Sequence, residues 1–147
     1  GGPGPILERY PTWANVQKSS LGQAEPQPST LESGHYFLDP ANAEVRQFML
    51  TLLKELMRYE VDGVHLDYIR YPASFPKDRF SYVATTWGYT GSAREQFFER
   101  AGIDPAALSP DETPEQWDAW NTFKEEQVNS FVSHLVIIHR KQHDSRY

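Results

Sequence analysis

The sequence predicts an α/β protein, and three observations point there. The run Asp62-Gly63-Val64-His65-Leu66-Asp67-Tyr68-Ile69-Arg70-Tyr71-Pro72, a short apolar run with the β-branched residues Val64 and Ile69, reads as a buried strand. A long amphipathic helix precedes it. Before that helix stands a second short aromatic and apolar run, His35-Tyr36-Phe37-Leu38, which follows Gly34. Strand, helix, strand in that order is a βαβ unit with two neighbouring parallel strands.

Taken in order, Tyr10 to Ser33 holds Pro11, Gly22, Pro26 and Pro28 among polar residues and reads as a loop. His35 to Leu38 is a strand end. Asp39-Pro40 then gives a capping residue followed by proline at the first helical position. Val45, Phe48, Met49, Leu52, Leu53, Leu56 and Met57 form one apolar stripe, which predicts a helix from about Pro40 to Tyr59 packed across both strands. Along Val61 to Asp67 side chains alternate faces. Val64 and Leu66 suit packing under helices, whereas Gly63, His65 and Asp67 share the other face, directed into an interior.

After Pro72 comes a second long loop with Phe75, Phe80, Tyr82, Trp87 and Tyr89. Ser92-Ala93-Arg94-Glu95 reads as a capping box that opens a short helix ended by Gly102. Thr113-Pro114-Glu115-Gln116 reads as a second one. It opens a long helix whose stripe uses Trp117, Trp120, Val128, Phe131, Val132, Leu135 and Val136. At that spacing Trp117 and Trp120 belong to a core rather than to a sugar-stacking surface.

The chain has 147 residues, a net charge of −6 and no cysteine. The acidic balance disfavours a nucleic-acid partner. No apolar run approaches the roughly 20 residues that span a bilayer, and the start lacks a signal-peptide pattern. Without cysteine there are no disulfides or thiolate metal sites.

The stretches YFLDPANAEVR (from Tyr36) and RYEVDGVHLDYIRYP (from Arg58), with Gly102-Ile103-Asp104-Pro105 and Trp117 to Phe131, resemble the glycosyl hydrolase-like 10 family from about Tyr10 to Ile138. Lys124 stands where that family commonly has arginine, and the two side chains are not interchangeable in planar contacts. The resemblance implies a bacterial (β/α)8 barrel related to glycoside hydrolases. Such a TIM barrel typically needs about 250 residues. Residues 1–147 are therefore expected to be part of a single barrel domain truncated at both ends, roughly strands 3 and 4 with their helices and a long loop insert. Such a piece is expected to be marginally stable and inactive alone.

His65, Asp67 and Arg70 fall within six positions of the central run. Buried charges are costly unless paired or used. In the structural reading Asp67 pairs with Arg70 or caps a turn, and His65 is a satisfied core residue. In the functional reading Asp67 is a catalytic carboxylate at a strand end, kept ionised by Arg70. Glycosidic cleavage commonly needs two carboxyl groups. Asp62 reads as structural, Asp39 as a helix cap rather than the second acid it could also supply, and the partner carboxylate is expected on a later strand.

The expected substrate contacts are His65, Tyr68, Arg70, Tyr71 and Trp87, although Trp87 and Tyr89 equally suit pinning their loop to the scaffold. No cofactor and no metal is expected. The expected partner is a polysaccharide or oligosaccharide, with no nucleic acid and no membrane-spanning segment. The resemblance implies an extracytoplasmic bacterial glycan, with peptidoglycan strands as one candidate. Two other classes compete: a non-catalytic glycan-binding barrel, and a metal-dependent hydrolase using His65-x-Asp67. Against the metal reading, His35, His134, His139 and His143 lack suitable spacing, and His139 and His143 lack the glutamate of a zinc-protease motif.

Overall fold

The two well-capped helices begin where short polar side chains meet an apolar stripe, and the architecture follows from where those stripes find partners. A computed structural model of the chain describes residues 1–78, 80 and 82–144. Among the described residues five α-helices run in order: α1 (Pro5–Arg9), α2 (Ala43–Leu56), α3 (Tyr82–Thr85), α4 (Gly91–Ala101) and α5 (Pro114–Asp144). Short 3-10 turns occupy Pro11–Trp13, Lys18–Ser20, Thr30–Glu32 and Pro105–Ala107.

Asn42 caps α2, its side-chain oxygen accepting from the Glu44 and Val45 N–H groups at 2.8 and 3.2 Å. The helix therefore starts three residues later than Asp39-Pro40 suggested, because Asp39 spends its carboxylate elsewhere. Thr90, not Ser92, caps α4 by accepting from the Ala93 N–H at 3.1 Å. Gly102 ends α4 in the left-handed region at φ 72°, as its sequence position implied. The Thr113 hydroxyl donates back to the Ser109 carbonyl at 3.0 Å instead of forming a capping box.

Three apolar clusters hold the elements together. Trp117, Trp120 and Phe123 of α5 pack with Ala93 and Phe97 of α4 and with Tyr89. Both tryptophans lie in the core, Trp120 at 0 % exposure. Leu7, Trp13, Ala14 and Val45 join the N-terminal turns to α2. Leu53 and Met57 of α2 meet Phe131 and Leu135 of α5, with Val64, Leu66 and Ile69 against them. Arg46 ties α2 to α5, donating to the Gln127 carbonyl at 2.6 Å and to the Ser130 hydroxyl at 2.8 Å.

The expected α/β architecture is overturned. The protein is helical and carries no sheet among the described residues, so it is not part of a TIM (β/α)8 barrel. The pairing found is three isolated antiparallel bridges, Ala14 with Leu38, Gln17 with Trp87 and Ser29 with His35. The run His35 to Leu38 thus pairs with loop residues upstream, not with residues 61–67. Residues 61–67 have no strand structure and no backbone hydrogen bond to another segment among the described residues. A strand needs a neighbour to take up its N–H and C=O groups, and α2 packs on α5 instead of across a sheet. Two of the seven residues of the α2 stripe are left uncovered as a result: Leu52 and Leu56 are 43 % and 42 % exposed.

Candidate functional site

The alternation read from residues 61–67 survives without the strand. Val64 and Leu66 are half-buried, while Gly63, His65 and Asp67 are exposed. His65 and Asp67 thus face outward, contrary to the interior expected for them. The Asp67 carboxylate accepts from the Tyr68 N–H at 2.9 Å. That local bond accompanies a tight bend in which Tyr68 takes φ 52°, a conformation that a bulky side chain rarely adopts.

Arg70 does not pair with Asp67. Its guanidinium donates to Glu32 in a short ion pair, and the other Glu32 oxygen accepts from the Ala73 N–H at 2.8 Å. The Arg70 hydrogen bond holds the Glu32 carboxyl below the usual carboxylate range, against a smaller opposing effect of burial. Arg70 also sits 5.3 Å from the Tyr68 ring centroid and 6.0 Å from that of Phe37. His35 and Phe37 approach the Tyr68 ring at 5.7 and 5.9 Å. Asp67, Tyr68 and Arg70 line a groove of about 240 Å³ together with His35 and Phe37. Asp67 is the sole carboxylate among the lining residues, and His65 is not part of the lining.

Behind this groove lies a buried polar knot. Asp39 is 0 % exposed. It accepts from the Thr90 hydroxyl at 2.6 Å and from the Ala41 N–H at 2.9 Å. Burial pushes its carboxyl up, against those two bonds and the positive charge of Arg46. Asn15, also buried, accepts from the Val16 and Gly88 N–H groups, each at 2.9 Å. Lys124 donates to the Trp87 carbonyl at 3.0 Å and lies 5.4 Å from the Tyr71 ring centroid. Burial pushes the Lys124 ammonium down to about 8.

The knot also takes in two of the expected substrate contacts. The Tyr71 hydroxyl is enclosed with no partner among the described residues, and burial raises its pKa. Trp87 is 2 % exposed, so neither face of its ring is open for a sugar to stack on. Trp87 and Tyr89, at 2 % and 1 % exposure, are placed as the loop-pinning alternative has them. Gly88 makes the close approach possible, since a Cβ there would sit 2.8 Å from Lys124 Cδ at φ +107°.

Sequence reasoning missed Glu32, Asn15, Thr90 and the role of Lys124. Glu32 stands 38 positions from Arg70, and no local spacing marks such a pair. Among the described residues no group of three or more histidine and acidic side chains is placed to hold a metal ion. None of the described helices is long and apolar enough to cross a membrane. Comparison with curated proteins and with solved structures gave no match. The model of the family described as glycosyl hydrolase-like 10 matches residues 5–141. That span includes the Asp67 groove and the buried knot alike, and the chain belongs to the glycosyl hydrolase-like 10 family.

Proposed function

We infer that the protein is a glycoside hydrolase acting on a bacterial polysaccharide, with Asp67 as one catalytic carboxylate and peptidoglycan glycan strands as the first substrate to test. The observation that carries this reading is the Asp67 groove. An exposed carboxylate, an arginine and the Tyr68 ring line it together with His35 and Phe37. Carbohydrate sites combine aromatic faces for the apolar side of a sugar ring with a few polar groups for its hydroxyls. Tyr68 and Arg70 supply both kinds of contact. His65 and Tyr71 lie outside the groove lining.

In this scheme Asp67 protonates the leaving oxygen or attacks the anomeric carbon, and a second carboxyl group completes the reaction. Arg70 faces Asp67 electrostatically while bonded to Glu32. Glu32, held ionised, positions Arg70 and is a poor general acid. The test compares turnover of glycan strands by the intact protein and its Asp67→Asn variant, with circular dichroism as the folding control. Asp67→Asn is expected to lower turnover by at least about 10²-fold. Turnover equal to wild type would remove Asp67 from catalysis.

One observation favours a second reading, glycan binding without hydrolysis. The groove lining offers a single carboxylate where cleavage requires two. Saturable binding of glycan strands with no turnover in wild type would establish that reading.

A further inference from the structure

A larger concavity than the Asp67 groove lies elsewhere on the molecule. It encloses about 570 Å³ between the N-terminal loops, the start of α2 and the start of α4. This is within the roughly 300–1,000 Å³ of small-ligand clefts. Its polar lining is neutral: Thr12, Asn15, Gln23, Asn42 and Ser92 contribute amides and hydroxyls, and Glu25 is the single charged residue. No lysine, arginine or histidine lines it.

Many of these groups still have hydrogen bonds to give. Asn42 uses its side-chain oxygen to cap α2, and its amide nitrogen has no partner among the described residues. The side chains of Thr12, Gln23 and Ser92 likewise have none among the described residues. The Thr90 hydroxyl takes the Ala93 N–H and the Thr90 carbonyl takes the Arg94 N–H. The Gly91 and Ser92 N–H groups remain as donors at the cleft wall. Pro11 and Pro26 add apolar patches. Neutral groups that donate and accept in about equal measure, beside small apolar surfaces, match a hydroxyl-rich uncharged ligand. An anion would meet Glu25 and no cationic side chain. Ala14 lines this cleft, and its bridge partner Leu38 lines the Asp67 groove, so the two concavities adjoin.

We propose that this cleft is a separate saccharide subsite that binds the neutral portion of a glycan chain beside the Asp67 groove. The proposal rests on the reading of the protein as glycan-active and names the part of the glycan it holds. The test titrates ¹⁵N-labelled protein with cellotriose, with N,N′,N″-triacetylchitotriose and with trigalacturonate, following the Gln23, Gly91 and Ser92 amides. A Cβ at Gly91 meets nothing within 4 Å, so Gly91→Trp adds a bulky side chain at the cleft's edge without a clash at its Cβ. Gln23→Ala, in an exposed loop position, removes one amide and leaves the helices intact.

At least one neutral trisaccharide is expected to shift these amides saturably, and trigalacturonate to do so much more weakly. Each variant is expected to weaken binding by about tenfold or more with unchanged melting. If Gly91→Trp fails to fold, Gln23→Ala carries the comparison. Absence of shifts with both neutral sugars, equal binding of the uronate, or wild-type affinity in the folded variants would overturn the proposal. The two readings fail separately. Cleft shifts with Asp67→Asn turning over like wild type would remove the Asp67 assignment alone. Loss of turnover in Asp67→Asn with an unperturbed cleft would remove the subsite alone.

Discussion

The surroundings of Trp120 and residues 60–71 treat apolar side chains in opposite ways. Trp120 stacks on Phe123 at 5.6 Å, and Phe97 and Tyr89 approach it at 5.3 and 5.5 Å. All four rings are at most 2 % exposed. In residues 60–71, Val64, Leu66 and Ile69 are only half-buried, and Tyr59 and Val61 beside them are 65 % and 38 % exposed. The backbone of α4 and α5 satisfies itself within each helix, so their side chains need only meet each other. The backbone of 61–67 has no such internal solution, and its side chains cover one flank of α2 and α5 without being enclosed. The groove carrying Asp67 is therefore built on the loosely packed side of the molecule, while the rigid aromatic core stands behind the buried knot.

The sharpest way to break this contrast is Trp120→Ala. Removing a fully buried indole from a packed aromatic cluster is expected to cost about 3–5 kcal/mol in urea unfolding. A loss under about 1 kcal/mol would show that this core is not rigid.

The next effect is a pH dependence at the knot. Lys124 titrates near 8 in the folded protein against 10.5 in an exposed setting. Between those values the unfolded chain binds more protons, so stability rises as pH rises from about 8 to 10.5. The gain approaches about 3 kcal/mol and disappears in Lys124→Met, as read by denaturant titrations across that range. A flat profile in wild type would mean that Lys124 reaches solvent.

The smallest effect belongs to the other region. Leu66→Ala, at a half-buried position, is expected to cost about 1 kcal/mol or less. Amides of residues 61–67 should exchange with deuterium close to the unprotected rate, while those of α5 near Trp120 are strongly protected. Strong protection at 61–67 would reveal a backbone pairing that the fold does not contain.

The same contrast governs what the sequence could reveal. Helical periodicity is a property of one element and its own backbone, so the stripe of α2, the core roles of Trp117 and Trp120 and the stop at Gly102 were all readable. Cap positions slipped because rival residues stood close together: Asp39 and Asn42, or Thr90 and Ser92. Asp39 lost its cap role to bonds with Thr90 and the Ala41 N–H, a long-range choice that no local pattern encodes. In residues 61–67 the alternation of side chains was legible and the pairing was not. Alternation is local, whereas a sheet needs partners that the sequence pattern cannot supply. Asp67, Tyr68 and Arg70 line one groove, but Arg70 turns to Glu32, and Trp87 and Tyr71 turn inward.

The Arg70–Glu32 pair joins two loops far apart in sequence, and a half-exposed guanidinium makes that junction sensitive to the surrounding electrolyte. Mobile ions screen exposed charges over roughly 8 Å at physiological ionic strength and over about 3 Å at 1 M. Dilute buffer therefore draws the 30–32 turn against the 70–73 segment, and concentrated salt loosens it. Arg70 also lies 5.3 Å from the Tyr68 ring centroid and 6.0 Å from that of Phe37, so the pair borders the Asp67 groove. The ionic strength around the protein is therefore expected to act on the mouth of the candidate site through this one pair, while the Ala73 N–H bond to Glu32 stays in place.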